Sequence, residues 1–226
     1  MTPFEFIDVF WSHYLLLEAD FLETRRYLQF DKDNKDAFSN EYLKQYQAIG
    51  SEIDVFAKEF CKLLDPNFKG SNINHYCKCI TDNVDDFTNE EIYVMFLEEY
   101  IQPWKDWTYT VSIDKLGREK INSNVPKWWT MYNKTKHQRT TALVSYNNKP
   151  FYKFANQNNL ISALGGLFLL EMHCFIHLLK NSTRISDSDY VIGGSKLFIM
   201  KSLTVEMQRE NYSLYKHKEV SLAVID

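Results

Sequence analysis

Tyr42–Leu63 reads YLKQYQAIGSEIDVFAKEFCKL. Within it Tyr42, Tyr46, Ile49, Ile53, Phe56, Phe60 and Leu63 recur in alternating steps of four and three. At 3.6 residues per turn that spacing lines one face of a helix with apolar side chains, so the segment is expected to pack on a core. Gly50 lies inside it at a cost of about 1 kcal/mol relative to alanine. Asp65-Pro66 ends it, because proline disfavours a helical residue before it. On the N-terminal side Phe4–Phe30 lacks Gly and Pro, and Phe10, Tyr14, Leu17, Phe21 and Leu28 again follow helical spacing. The polar run Asp31–Asp36 separates the two segments, which predicts an antiparallel helical hairpin.

Farther along, a short helix is read around Ile73–Ile80. Thr88-Asn-Glu-Glu91 has the form of a capping box and predicts a helix presenting Ile92, Phe96 and Tyr100 before Pro103. Trp104–Val125 reads as irregular, with a short strand at Tyr109–Ile113 and a turn at Gly117. Pro126 suits a first helical residue, so Lys127–Thr140 reads as a helix. Tyr146–Phe154 reads as a loop and Asn156–Lys180 as a long central helix. Tyr190–Met200 predicts two short strands about Gly193-Gly194, and Val220–Ile225 another strand. The expected architecture is mainly α: a helical bundle over 1–180 and a small irregular or β appendage over 181–226.

Composition agrees with this. The chain has 226 residues, 45% apolar and 25% charged, with only 7 Gly and 5 Pro, too few for a turn-rich all-β fold. A net charge of -4 excludes a chain that binds polyanions over its whole surface, so any nucleic-acid contact must come from a local patch or one shared by two subunits. Met1–Phe10 has no basic start and carries Glu5 and Asp8, which reads as no secretory leader and a cytoplasmic setting. Cys61, Cys77, Cys79 and Cys174 are then expected as reduced thiols, since the lone Cys77-Lys-Cys79 pair lacks a matching second pair for zinc. Leu160–Leu179 is apolar enough to suggest a membrane span, but Glu171, His173 and His177 favour a buried core helix. His173 and His177 have metal-ligand spacing without a third ligand on another element, and no metal or cofactor is expected.

The stretch with site-like chemistry is Pro126–Arg139, PKWWTMYNKTKHQR. At about 100° per residue Trp129, Asn133, Lys136, His137 and Thr140 share one helical face. Trp128, Tyr132, Thr135 and Arg139 occupy the next. Asn133 and His137, four apart, are side-chain neighbours. Metal-free RNA cleavage needs a base for the 2′-hydroxyl proton, an acid for the leaving 5′-oxygen and cations for the phosphoryl charge. A histidine moves the proton, Arg and Lys grip phosphate, and Trp and Tyr stack on unpaired bases. The plainer alternative is that Trp128 and Trp129 are core and Lys134, Lys136 and Arg139 a solvated face.

The run W-W-x-x-Y-N-x-x-K-H-x-R, followed by a loop and the apolar helix Ala155–Leu170, resembles bacterial HEPN-like proteins over roughly Phe4–Lys180. The resemblance implies an antiparallel helical bundle, a homodimer formed through the motif helix, and a metal-independent endoribonuclease of defence or toxin–antitoxin systems. The cognate partner would be an antitoxin or another defence-system protein. It implies His137 as acid/base, Asn133 as its orienting or phosphate-side partner, and Arg139 and Lys136 as phosphate grips. Tyr132, Trp129 and Lys127 join Lys136 as candidate RNA contacts. The family motif is commonly R-N-x-x-x-H, whereas here its Arg position is Tyr132, and a phenol supplies no permanent positive charge. That departure keeps open a non-catalytic module binding RNA, nucleotide or protein. A structural or regulatory helical protein is the third reading.

Overall fold

The computed structural model describes residues 1–181 and 193–202. The chain is mainly α, and its apolar side chains form one continuous core. It starts with α1 (Pro3–Glu5), a π-helical stretch Phe6–Trp11, α2 (Ser12–Glu23) and a 3-10 turn Thr24–Arg26. Thr2 and Glu5 close a capping box, the Glu5 N–H donating to Thr2 Oγ1 at 3.2 Å and the Thr2 N–H to Glu5 Oε2 at 2.7 Å. The helix expected to reach Phe30 stops earlier. Thr24 Oγ1 donates to the Phe21 carbonyl at 2.6 Å, the back-bonding by which Ser and Thr compete with the helical ladder. Phe30 still reaches the core from outside the helix, stacked on Phe21 at 4.6 Å.

α3 (Asn40–Leu64) begins where Ser39 Oγ accepts the Tyr42 N–H at 3.0 Å. Tyr42, Tyr46, Ile49, Ile53, Phe56 and Phe60 are all buried, as the stripe predicts, and Leu63 is partly so. α4 (Ile73–Asn83) packs on α3. α6 (Gln157–Lys180) is capped by Asn156, which accepts the Asn159 N–H at 3.0 Å, and shares its main helix–helix interface with α3. By length and composition α6 could cross a membrane, with mean hydropathy 1.6, but 78% of that window is buried inside the fold.

The helix expected after Thr88 does not form. Ile92–Val94 is a strand, β1, paired antiparallel with β2 (Glu99–Ile101) on one side and β5 (Phe198–Met200) on the other. The Glu91 side chain pairs with Lys201 instead of closing a capping box, and the Glu91 carbonyl accepts the Lys201 N–H at 2.9 Å. Ile92 and Val94 turn inward, and Ile92 packs so closely on α6 that a Cβ at Gly165 would lie 2.5 Å from Ile92 Cδ1. Tertiary pairing with a strand more than a hundred positions away has overridden the local capping signal.

The expected strand at Tyr109–Ile113 is present as β3 (Thr108–Ile113), and Gly117, at φ +74°, makes the turn to β4 (Glu119–Asn124). This two-stranded hairpin rests on α4, with Ser123 Oγ donating to Asn74 Oδ1 at 2.6 Å and Tyr109 Oη to Asp82 Oδ1 at 2.6 Å. β4 was unreadable because EKINSN offers only one inward apolar residue, Ile121.

Of the strand pair expected about Gly193-Gly194, the second strand is present as β5. β5 pairs with β1 of the helical body, in the register Ile92–Met200 and Val94–Phe198. Its Leu197, Phe198 and Met200 are buried. Trp11 Nε1 donates to the Gly193 carbonyl at 2.9 Å, and the buried Glu18 carboxylate accepts the Lys196 N–H at 2.8 Å and the Tyr14 hydroxyl at 2.9 Å. Residues 193–202 are thus packed into the body. Tyr190–Ile192 and Val220–Ile225 lie outside the described residues.

Candidate functional site on the motif helix

α5 (Lys127–His137) carries the site-like stretch. Pro126 stands as its N-cap, one position before the expected first helical residue. The helix ends three residues earlier than expected, where Gln138 leaves helical geometry at φ −135° and ψ 38°.

One side of α5 is structural. Trp128 Nε1 donates to the Pro103 carbonyl at 2.6 Å, its ring meets Trp104 edge-on at 5.0 Å, and its carbonyl accepts the Tyr46 hydroxyl. Thr135 Oγ1 donates to the Phe151 carbonyl at 2.9 Å. Tyr132 lies against the backbone of α3: a Cβ at Gly50 would sit 2.4 Å from Tyr132 Cε2. Gly50 is therefore the notch that lets α5 approach α3, which accounts for a glycine inside an otherwise strong helix.

This packing corrects two expected RNA contacts. Trp129 is 5% exposed and Tyr132 3% exposed, with ring centroids 5.2 Å apart, so neither offers a free face for base stacking. Lys127 is exposed but at the opposite end of α5, about 15 Å from His137 at 1.5 Å per residue. Thr140, placed on the motif face by a longer helix, lies beyond the end of α5.

The other side of α5 is accessible. Asn133 is half-buried; Lys136, His137, Gln138 and Arg139 are exposed. Asn133 Nδ2 donates to the Trp129 carbonyl at 3.1 Å. Lys136 Nζ is 3.5 Å from the Tyr132 hydroxyl, to which it donates. The chain then folds back on itself: the Tyr152 N–H donates to the Arg139 carbonyl at 3.0 Å and the Phe151 N–H to Thr141 at 3.1 Å. Lys134 seals this loop with its ammonium 4.9 Å from the Phe151 ring centroid. Because the helix stops at His137, Arg139 is freed from the regular geometry that would turn it away from the imidazole.

The segment of chain that carries this edge is basic. No Asp or Glu occurs between Glu119 and Glu171, while Lys127, Lys134, Lys136, Arg139, Lys149 and Lys153 fall in that interval. Lys149 pairs with Asp36 at 3.6 Å. Among the described residues Lys127, Lys136, His137 and Arg139 have no carboxylate partner. Lys134, Lys136 and His137 occupy the last turn of α5, where the carbonyl end of the helix favours cations by about 0.3–1 kcal/mol each.

Beside this edge lies a groove of about 190 Å³ lined by Ser51, Asp54, Trp129, Tyr132, Asn133 and Lys136. Ser51 and Asp54 of α3 were missed from sequence; they belong to the polar face of an amphipathic helix, and only the neighbouring Gly50 hints at a close approach. Behind Asp54, burial and then the Asp54 carboxylate push Tyr76 up to about 12.

The remaining titratable groups do not join this site. All four cysteines are free and buried. Glu171 is fully buried with neither carboxylate oxygen hydrogen-bonded, and burial raises its pKa well above the ordinary value. His173 on the same helix is lowered to about 4, chiefly by burial and secondarily by Lys180. Among the described residues no three His, Cys, Asp or Glu side chains are grouped to hold a metal ion.

The chain matches no family model, and no significant match to it is found among curated proteins or solved structures.

Proposed function

We propose that this protein is an RNA-directed domain of HEPN-like helical-bundle type that cleaves single-stranded RNA without a metal ion. The observation that carries the proposal is the exposed end of α5. There His137, exposed and without a carboxylate partner among the described residues, falls between Lys136 and Arg139 in a stretch of chain that has no Asp or Glu. In the reaction a 2′-oxygen attacks the adjacent phosphorus, the P–O5′ bond breaks, and a 2′,3′-cyclic phosphate and a 5′-hydroxyl result. One imidazole accepts the 2′-hydroxyl proton and another acid protonates the 5′-oxygen. Lys136 and Arg139 hold the phosphate oxygens by charge-assisted hydrogen bonds. Among the described residues one copy displays one imidazole at this edge, so the proposal includes a homodimer that brings two α5 ends together and supplies the second His137.

The test is incubation of the purified protein with unstructured RNA in EDTA. Cleavage with cyclic phosphate ends, abolished in His137→Ala, is expected. Intact RNA at concentrations where the protein is dimeric would refute the catalytic reading.

One observation favours a second reading. Tyr132, where the motif of the resembled family has Arg, is built into the core against Gly50 and supplies no charge to the edge. On this reading the same surface binds RNA and does not cut it. Salt-dependent binding without products, unchanged by His137→Ala, would select it.

A further inference from the structure

We infer that the groove between α3 and α5 is a base-reading subsite that takes the Watson–Crick edge of an unpaired guanine. This rests on the RNA-directed reading above and adds a specificity to it. The groove, about 190 Å³, is open to solvent on one side, so a base can enter it edge-first while its sugar and phosphate stay outside.

Its chemistry is of mixed sign. Asp54 and Lys136 line the same groove and no ion pair joins them; the carboxylate, which also acts on Tyr76, has further acceptor capacity, and the ammonium, which donates to the Tyr132 hydroxyl, has two more donors. A phosphate there would gain Lys136 and be repelled by Asp54. A neutral ring with separate donor and acceptor edges suits both. Guanine presents adjacent N1–H and N2–H donors, which a carboxylate accepts in parallel, and O6 and N7 acceptors, which an ammonium serves. Adenine and cytosine offer one amino group beside a ring acceptor, and uracil sets its single N–H between two carbonyls that a carboxylate would repel. These edges are accessible only in unpaired RNA.

The groove is also built to hold its shape. The notch at Gly50 sets the separation of α3 and α5 by direct ring-on-backbone contact. The Tyr132 hydroxyl accepts a hydrogen bond from Lys136 and positions the ammonium. The Asn133 amide, which lines the groove, is fixed by its bond to the Trp129 carbonyl.

The experiment is fluorescence anisotropy with labelled oligouridine carrying a single G, A, C or U at its centre, with guanosine monophosphate as competitor. The full-length protein is compared with Asp54→Asn, a change at an exposed residue. The expected result is roughly tenfold tighter binding of the G-containing strand by the wild type, falling below about twofold in Asp54→Asn, with oligouridine bound at least as well as before. Equal affinity for all four strands in the wild type, or an unchanged G preference in Asp54→Asn, overturns the subsite while leaving the RNA-directed reading intact. If guanosine monophosphate binds in an Asp54-dependent manner and no strand binds, the guanine subsite stands and the RNA reading fails. If nothing binds, both fail.

Discussion

Replacing Glu171 by Gln should change how stability responds to pH. The Glu171 carboxyl sits at 0% exposure on α6 with no hydrogen-bond partner for either oxygen. Burial, and secondarily the Glu52 carboxylate, raises its pKa well above 4.5. In the unfolded chain the group ionises near its ordinary value, while in the fold it keeps its proton. The unfolded state then binds fewer protons, so this group's contribution is fully present below about pH 4.5 and is lost as pH rises toward the folded pKa. Within that window the loss is about 1.4 kcal/mol per pH unit. His173 runs the other way: its folded value, lowered to about 4, gives stability present above about pH 6.5 and lost as pH falls toward 4. The two oppose each other between about pH 4.5 and 6.5 and flatten the wild-type profile. Urea unfolding followed by circular dichroism from about pH 5 to 7 would read the difference. The stability of Glu171→Gln relative to wild type should rise with pH, by about 1.4 kcal/mol per pH unit, from about pH 5 up to the folded pKa of Glu171. Any fixed cost of burying the amide shifts the curves without altering that slope. Parallel profiles would show that Glu171 ionises in the folded state and that the reasoning is wrong.

Four other outcomes are expected. Gly50→Ala should lose about 1–3 kcal/mol in chemical denaturation despite alanine's better helix propensity, because the new methyl meets the Tyr132 ring at 2.4 Å. Asn156→Ala should cost about 1 kcal/mol by removing the cap of α6, read as a lowered melting temperature. Arg139→Ala and Lys136→Ala should each weaken RNA binding and reduce the slope of log affinity against log salt by about 0.7, measured by anisotropy titrations over a salt series. His137→Ala should abolish cleavage in EDTA while leaving unfolding curves unchanged, since the imidazole is exposed; a parallel loss of stability would mean that it acts through the fold.

Periodic elements were legible in the sequence because their signal is carried by neighbours a turn apart. The stripe from Tyr42 to Phe60, the long apolar run of α6 and the helix after Pro126 could all be read without a third dimension. The motif helix was legible from Lys127 to His137, with Lys136 and His137 exposed, but not its early end before Arg139 and Thr140. What the linear pattern left undecided depended on partners distant in the chain. Thr88–Glu91 signals a helix locally, yet Phe198–Met200 pairs with Ile92–Val94 and makes a sheet. Trp129 and Tyr132 look equally suited to stacking on a base or filling a core, and the notch at Gly50 decides for the core. Ser51 and Asp54 read as ordinary solvated positions until α5 is laid beside them. Helical periodicity is a short-range property that residue spacing records. Burial, strand pairing and the lining of a groove are settled only when the core closes, since each requires surface from segments that the chain does not place side by side.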